Sequence, residues 1–291
     1  MALKSQFHKK GNNSVHEQVP KSDKADLPSQ LKHWATVEHQ IPHNALNSLL
    51  KILKPICPEL PSDSRKFLHT PVNVSSVSLQ TGELVHIGLN QQILAQLKLH
   101  RMSDIENREI LISFNVDGLP LFKSTNTQLW PILGLIKNFH SPQPFVISLF
   151  CGNSKPSPLN VFLGHFIAEL SKLLNDGIDF EGTHYIVKVH SFICDAPARA
   201  FIKCTKSHSG YSSCDKCIEP GEYIHGRVIY NSVTASRRTD VQFRLQSDED
   251  HHISESPLVT LPIDLVALFP IDYMHSVCLG VMRKLKYLGW W

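Results

Sequence analysis

Two short segments, at residues 114–118 and 192–196, most constrain the fold of this chain. They read Phe-Asn-Val-Asp-Gly and Phe-Ile-Cys-Asp-Ala, so each is an apolar, β-prone run that ends on an aspartate, Asp117 or Asp195. Runs of this kind predict buried strands. A carboxylate at the end of a buried strand lies at the rim of the sheet, and two from neighbouring strands can share a divalent cation. The sequence therefore predicts that Asp117 and Asp195 hold Mg²⁺ or Mn²⁺.

The segments around the two aspartates predict a mixed α/β sheet. A wide apolar stripe at helical spacing over residues 159–174 separates several strand-like runs, and Asn175-Asp176-Gly177 ends it. The predicted order is three strands, a crossover helix and a fourth strand, the first half of an RNase H-like sheet, in which the first and fourth strands are neighbours. The predicted strands cover residues 109–116, 119–123 continuing into 130–136, 145–150 and 184–194.

Composition along the chain predicts three regions. Residues 1–28 are polar and rich in Lys, Ser, Asn and Gln, which is typical of a disordered arm. Residues 29–105 are expected to form a small, mainly helical N-terminal subdomain, because leucines recur at helix spacing from Pro42 onward. Residues 106–291 are expected to form the α/β core. A polar, charge-mixed segment at about 204–260 is interpreted as an insertion that a zinc ion links to the core.

The zinc prediction comes from Cys214 and Cys217, whose CxxC spacing suits half of a tetrahedral zinc site. A redox pair is the alternative, which the polar loop context disfavours. His275 and Cys278, three residues apart on a predicted helix, are the expected second half. Other assignments remain open. Cys204 and His208 could replace His275 and Cys278 as ligands, Cys278 could be a core thiol, and His275 could be a buried imidazole.

Each aspartate also has a structural interpretation. Asp117-Gly118 is a common turn dipeptide, and Asp195 could cap a helix predicted over residues 198–206. Arg199 and Lys203, one and two helical turns beyond Asp195, could face a phosphate, but as isolated cations they are expected to be solvated.

Charge and cysteine content limit the cellular context. A net charge of +3 permits contact with a polyanion without requiring it. Seven scattered cysteines are typical of reduced thiols, which predicts a nuclear or cytoplasmic protein. No apolar run follows the N-terminal lysines, and no stretch of about 18 uncharged apolar residues occurs, so neither secretion nor a membrane span is expected.

Four ordered motifs resemble the catalytic domain of CACTA-type transposases over roughly residues 110–285. They are residues 115–122 with Trp130-Pro131-Ile132, residues 194–199, His208-Ser209-Gly210-Tyr211 leading to Cys214 and Cys217, and residues 272–275. The resemblance implies an RNase H-like fold with a DDE triad, in which Asp117 and Asp195 are the first two acids. It also implies Cys214, Cys217 and His275 as zinc ligands, DNA transposon ends as partner, a nuclear location and a possible homo-oligomer.

The chain departs from that family at the third acid. The family's glutamate lies beyond the Met-His motif, but only 16 residues follow His275 and none is acidic. Asp264 and Asp272 precede the motif and are poor substitutes. The chain stops at Trp290-Trp291 out of a predicted amphipathic helix, which is expected of a truncated protein with an exposed apolar face. The expectation is a transposase-derived protein related to metal-dependent DNA cleavage and transfer, inactive as this fragment. The alternative is a non-catalytic DNA- or protein-binding protein.

Overall fold

The structure is a computed structural model that describes residues 26–70, 74–99 and 105–289. It divides into two units between residues 73 and 74. The predicted disordered arm at residues 1–28 lies outside the described residues, apart from its last three. Those three belong to the start of the first helix.

The first unit is helical. Leu46 and Leu50 are fully buried and pack against a small cluster that includes Phe67. This confirms the helix predicted from the leucine spacing after Pro42. Asp63 accepts hydrogen bonds from two backbone amides of the next turn and so begins the third helix. The helices are α1 (Leu27–His33), continued by a π-helical turn (Trp34–Glu38), α2 (His43–Leu53) and α3 (Ser64–Phe67).

The second unit combines a mixed sheet with helices, as the α/β prediction requires. Its first half contains β1 (Val77–Leu79), β2 (Gly82–His86), α4 (Leu89–Leu99), β3 (Glu109–Val116), β4 (Leu119–Pro120), β5 (Gln128–Ile136) and β6 (Phe145–Gly152). Its second half contains α5 (Leu159–Asp176), β7 (Ile178–Phe180), β8 (Thr183–Ile193), α6 (Ala196–Lys203), β9 (Glu222–Ile224), β10 (Arg227–Ile229), α7 (Asp240–Arg244) and a last helix.

The main sheet has the strand order β1-β2-β6-β5-β3-β8-β7, and β4 pairs with β5 at the side. Strands β3 and β8 are parallel, whereas β5 is antiparallel to both β3 and β6. The predicted pairing of the first and fourth core strands is therefore confirmed. Helix α5 makes the crossover between β6 and β8, as the apolar stripe at residues 159–174 predicts.

The core lies between α5 and the sheet. Phe166 of α5 meets Phe114 of β3 edge-on, with ring centroids 5.0 Å apart. Phe114 in turn contacts Phe192 of β8 at 5.2 Å. Aromatic pairs of this geometry add to the stabilisation that burial alone provides. The two strands that lead to Asp117 and Asp195 are thus held by aromatic packing in the core.

The domain boundary differs from the predicted one at residues 105 and 106. Strand β2 pairs along its whole length with β6, and Leu89, Ile93 and Leu97 of α4 belong to the core of the sheet. Residues 77–99 are therefore part of the α/β unit. Periodicity marks them as apolar, but it carries no information on a pairing with a strand far away in sequence.

The polar segment at residues 204–260 is more ordered than a plain loop. It contains the β9–β10 hairpin and α7, and it is anchored by the buried side chains of Phe243 and Leu258. The last helix comprises a π-helical part (Met274–Met282) and α8 (Arg283–Tyr287), and none of its residues is buried. No helix within the described ranges is long and apolar enough to cross a membrane.

Candidate metal centre

Strands β3 and β8 bring Asp117 and Asp195 to the same edge of the sheet. In the parallel register Asn115 lies opposite Ile193, and each aspartate is two residues further along its strand. The Asn115 side chain donates a hydrogen bond to the Ile193 carbonyl at 2.7 Å, which fixes this register at the end of the pair. Because β3 and β8 are parallel, the segments that follow them leave the sheet at the same edge. The predicted proximity of the two aspartates thus follows from the observed register.

Each carboxylate uses one oxygen locally. Asp195 is the N-cap of α6, and its Oδ1 accepts a hydrogen bond from the Ala198 amide at 2.7 Å. Asp117 Oδ1 accepts one from the Gly118 amide, also at 2.7 Å. The structural roles considered for both residues therefore exist. Within the described part of the chain, hydrogen bonds occupy only these oxygens, so each aspartate keeps a second oxygen for a ligand.

The surroundings of Asp117 disfavour the charged form of its carboxyl. Burial raises the pKa of this carboxyl, and the negative charge of Asp195 raises it further. The Gly118 amide and the His275 imidazole oppose the rise. Two carboxylates that repel each other in a half-buried site are stabilised when a divalent cation binds both.

Aromatic packing holds the Asp117 turn in place. A Cβ atom on Gly118 would lie 2.5 Å from Cζ2 of Trp130, so only glycine lets the turn pass this ring. Trp130 meets Phe201 of α6 edge-on at 5.2 Å. The turn after β3 and the helix that follows β8 are therefore braced against one another.

Asp272 and His275 also belong to this region. Phe269 stacks on Phe192 with ring centroids 4.8 Å apart, and Arg199 Nη1 donates to the Pro270 carbonyl at 3.2 Å. These contacts place the start of the last helix beside the ends of β8 and α6. The Asp272 carboxylate accepts hydrogen bonds from the His275 ring and backbone amide.

The pKa of His275 reflects these neighbours. Its hydrogen bond to Asp272 raises the pKa, and the charges of Asp195 and Asp117 raise it further. The structure therefore places His275 within electrostatic range of the carboxylates. This neighbourhood differs from the zinc site predicted from the sequence.

The four predicted zinc ligands do not come together. Cys214 and Cys217 are neighbours, with Sγ atoms 3.1 Å apart. Throughout residues 26–70, 74–99 and 105–289, no three His, Cys, Asp or Glu side chains are arranged to hold a metal ion, so neither His275 nor Cys278 joins the thiols. Cys278 is exposed on the last helix. The thiol pair supplies two of the four ligands that a structural zinc ion needs.

Lys203 differs most from its predicted surroundings. It was expected to be solvated, but it is only 1% exposed and forms an ion pair with Asp215, which lies between the two cysteines. Arg199 and Lys216 lie 3.8 and 3.6 Å from the other carboxylate oxygen of Asp215. The pair ties the CxxC segment to the last turn of α6, which ends at Lys203 rather than at residue 206.

His251 is a second buried group that sequence reasoning missed. Its side chain is fully buried, and its Nδ1 lies 2.7 Å from the Ser212 carbonyl. Burial lowers the pKa of His251 to about 4, so the ring is neutral at pH 7. Its sequence neighbours are acidic and polar, which gives no signal that this histidine faces inward.

Comparison with known protein families and with curated proteins finds no match to this chain.

Proposed function

We propose that this chain derives from a transposase and that its Asp117–Asp195 edge is a divalent-cation site for cleaving DNA phosphodiester bonds. The observation that carries the proposal is the parallel pairing of β3 with β8, which sets both aspartates two residues beyond the last paired residues. Two carboxylates at the ends of neighbouring parallel strands are the arrangement that a shared divalent cation requires.

The strand order supports an RNase H-like fold for the core. Strands β6, β5 and β3 form an antiparallel meander, and β8 adds in parallel beside β3 after the crossover helix α5. The first and fourth strands of this arrangement end at the two acids. This is the layout that the transposase resemblance implies, with β1, β2 and β7 as additions at the edges.

The donor atoms suit Mg²⁺ or Mn²⁺. Both ions prefer carboxylate oxygens, and Asp117 and Asp195 each keep one oxygen outside their local hydrogen bonds. When bound, such a cation activates the attacking oxygen and stabilises the leaving one in phosphodiester cleavage. The protein contributes rigidity, because both carboxylates sit on elements packed into the core.

Asp272 is the candidate for a third acid in this region. Asp272 acts on the pKa of Asp117, but both of its oxygens accept hydrogen bonds, Oδ1 from the Met274 amide and Oδ2 from His275. Asp272 therefore orients His275, whose protonated ring can neutralise charge on a phosphate. Two free carboxylates are enough to bind a cation, so in place of the inactivity expected from the sequence we propose slow nicking without efficient strand transfer.

A structural zinc ion at Cys214 and Cys217 is the second part of the proposal. The adjacent thiols support half of such a site, and the remaining ligands are open. Substituting Co²⁺ for zinc tests this directly, because thiolate ligation produces intense charge-transfer and d–d absorption bands. Loss of these bands in Cys214→Ser, but not in Cys151→Ser, is the expected result.

A non-catalytic DNA-binding role is the alternative function. It is favoured by the hydrogen bonds that occupy both oxygens of Asp272. The two roles differ in one respect: a binding protein retains full affinity for DNA when either aspartate is neutralised and shows no nicking with any cation.

The decisive experiment follows nicking of supercoiled plasmid in Mn²⁺ by wild type, Asp117→Asn and Asp195→Asn. Asparagine retains the cap of α6, so Asp195→Asn removes charge without removing the helix start. Asp179→Asn is the matched control, since Asp179 is an exposed acid on β7 of the same sheet. Nicking that both site variants abolish and the control retains supports the proposal. Nicking that persists in both site variants, or is never above background, refutes it.

A further inference from the structure

A hairpin of residues 119–127, made of β4 and the loop that leads to β5, exposes three large apolar side chains close in sequence to Asp117. Leu119, Leu121 and Phe122 are 46%, 42% and 60% exposed. They follow Gly118 almost directly, and Lys123 comes next with its side chain also exposed. Scattered exposed apolar residues are ordinary, but three within four positions next to a candidate catalytic site indicate a contact surface.

The hairpin is braced rather than loose. Leu119 and Pro120 pair with Leu129 and Gln128 of β5. The Leu121 amide donates to the Thr127 carbonyl at 3.0 Å, and Thr125 Oγ1 donates to Thr127 Oγ1 at 3.1 Å. Phe122 is therefore presented on an ordered support that begins at the Asp117 turn.

The position and charge of this surface fit a nucleic-acid strand. Phe122 is five residues from Asp117, so their Cα atoms are at most about 17 Å apart, or about five base steps of 3.4 Å. Lys155 adds positive charge, with its Nζ 6.0 Å from the ring of Trp130, which packs on Gly118. An exposed aromatic ring followed by an exposed lysine, Phe122 and Lys123, is a combination that binds unpaired bases and their phosphates.

Resting on the proposed function, we propose that the hairpin of residues 119–127 holds an unpaired nucleotide of the DNA substrate next to the Asp117–Asp195 site. Phe122 stacks on the base, and Lys123 faces a neighbouring phosphate. The hairpin thus selects DNA that is single-stranded or frayed within about five nucleotides of the bond to be cut. Unpaired bases are required because a stacked, paired base presents no face to a side chain.

The experiment measures binding of the full chain to two fluorescein-labelled DNA duplexes in Ca²⁺, one blunt and one with a five-nucleotide overhang. The free energy of stacking a base on an aromatic ring, converted to a ratio of dissociation constants, predicts about 5- to 150-fold weaker binding of the overhang DNA by Phe122→Ala. Phe122→Tyr retains the ring and is expected to bind as wild type. Tyr223→Ala is the matched control, because Tyr223 is an aromatic residue 65% exposed on the β9–β10 hairpin.

Selective loss of overhang binding in Phe122→Ala, with Phe122→Tyr and Tyr223→Ala unchanged, supports the proposal. Equal losses on blunt and overhang DNA, or no loss, overturn it. A change in molar mass by light scattering without a change in DNA binding also overturns it, because the hairpin then covers a second copy of the chain. These outcomes are independent of plasmid nicking, so failure of the hairpin proposal is distinguishable from failure of the cleavage proposal.

Discussion

Replacing Lys203 with Met or Asp215 with Asn removes one partner of a buried ion pair and leaves the other. The Lys203 side chain is 1% exposed and that of Asp215 is 7% exposed. Breaking such a pair costs about 3–5 kcal/mol, because the remaining charge stays in a medium that solvates it poorly. The structure further predicts that the two substitutions differ in their effect on the free energy of unfolding.

After Lys203→Met, Asp215 still faces Arg199 at 3.8 Å and Lys216 at 3.6 Å. The loss should therefore lie near the lower limit, about 3 kcal/mol. After Asp215→Asn, Lys203 retains only the faces of Phe243 and Phe269, at 4.7 and 5.1 Å, as favourable partners among its described contacts. A cation–π contact offsets less than a carboxylate does, so this loss should be nearer 5 kcal/mol.

Burial already lowers the pKa of Lys203, and Asp215 raises it in part. Asp215→Asn should lower this pKa further. Since the folded state then releases its proton before the unfolded state does, the deficit of the variant should shrink as pH rises towards 10.5.

Urea unfolding followed by near-ultraviolet circular dichroism measures these differences. The control is Lys206→Met, because Lys206 pairs with Asp250 at 3.4 Å with side chains 38% and 84% exposed. An exposed pair of this kind contributes at most about 1 kcal/mol. If Lys203→Met is no more destabilising than Lys206→Met, the buried pair does not hold the CxxC segment on α6 and the reasoning is wrong.

Three further predictions concern the site and the core. Because burial and Asp195 raise the pKa of Asp117, its ionisation destabilises the fold as pH rises through that pKa. Asp117→Asn should therefore raise the melting temperature at pH 7 in EDTA and abolish the rise caused by Mn²⁺, whereas a Mn²⁺ effect that survives the substitution contradicts the site. Gly118→Ala should destabilise by about 1–3 kcal/mol because its Cβ meets Trp130, whereas Gly164→Ala, which meets nothing within 4 Å, should be neutral or stabilising in the same unfolding assay. The lowered pKa of His251, about 4, predicts that stability falls as pH drops from 6.5 to about 4, and His251→Gln should flatten this limb of the pH profile; an unchanged limb assigns it to other groups.

The core strands and the crossover helix could be predicted because their patterns are local. Residues 109–116 and 184–193 are apolar β-prone runs, and the stripe on α5 has an unmistakable helical period. The adjacency of Asp117 and Asp195 then followed from the order of elements. The strand register could not be predicted from the sequence pattern. It shows that both aspartates lie the same number of residues beyond the last paired position.

Long-range pairing explains what the sequence could not predict. Strand β2 is short and polar in part, so only its hydrogen bonds with β6 identify it as a strand of the main sheet. Lys203 and His251 have sequence neighbours typical of a surface, and they are buried because the insertion folds back over α6. The sequence also carried no signal that His275 bonds to Asp272, and within the described residues His275 does not lie with the Cys214 and Cys217 thiols.

The double role of Asp195 has a consequence for how this chain can change over generations. One of its oxygens caps α6, whereas the hydrogen bond recorded for Asp117 among the described residues comes from the amide of its own turn. If cation chemistry ceased to be selected, position 195 would remain restricted to the good capping residues Asp, Asn, Ser and Thr. Position 117 would be less restricted, because the hydrogen bond of its carboxylate lies within its own turn. In lineages descended from this chain, greater sequence variation at position 117 than at position 195 would therefore indicate that cation binding is no longer selected.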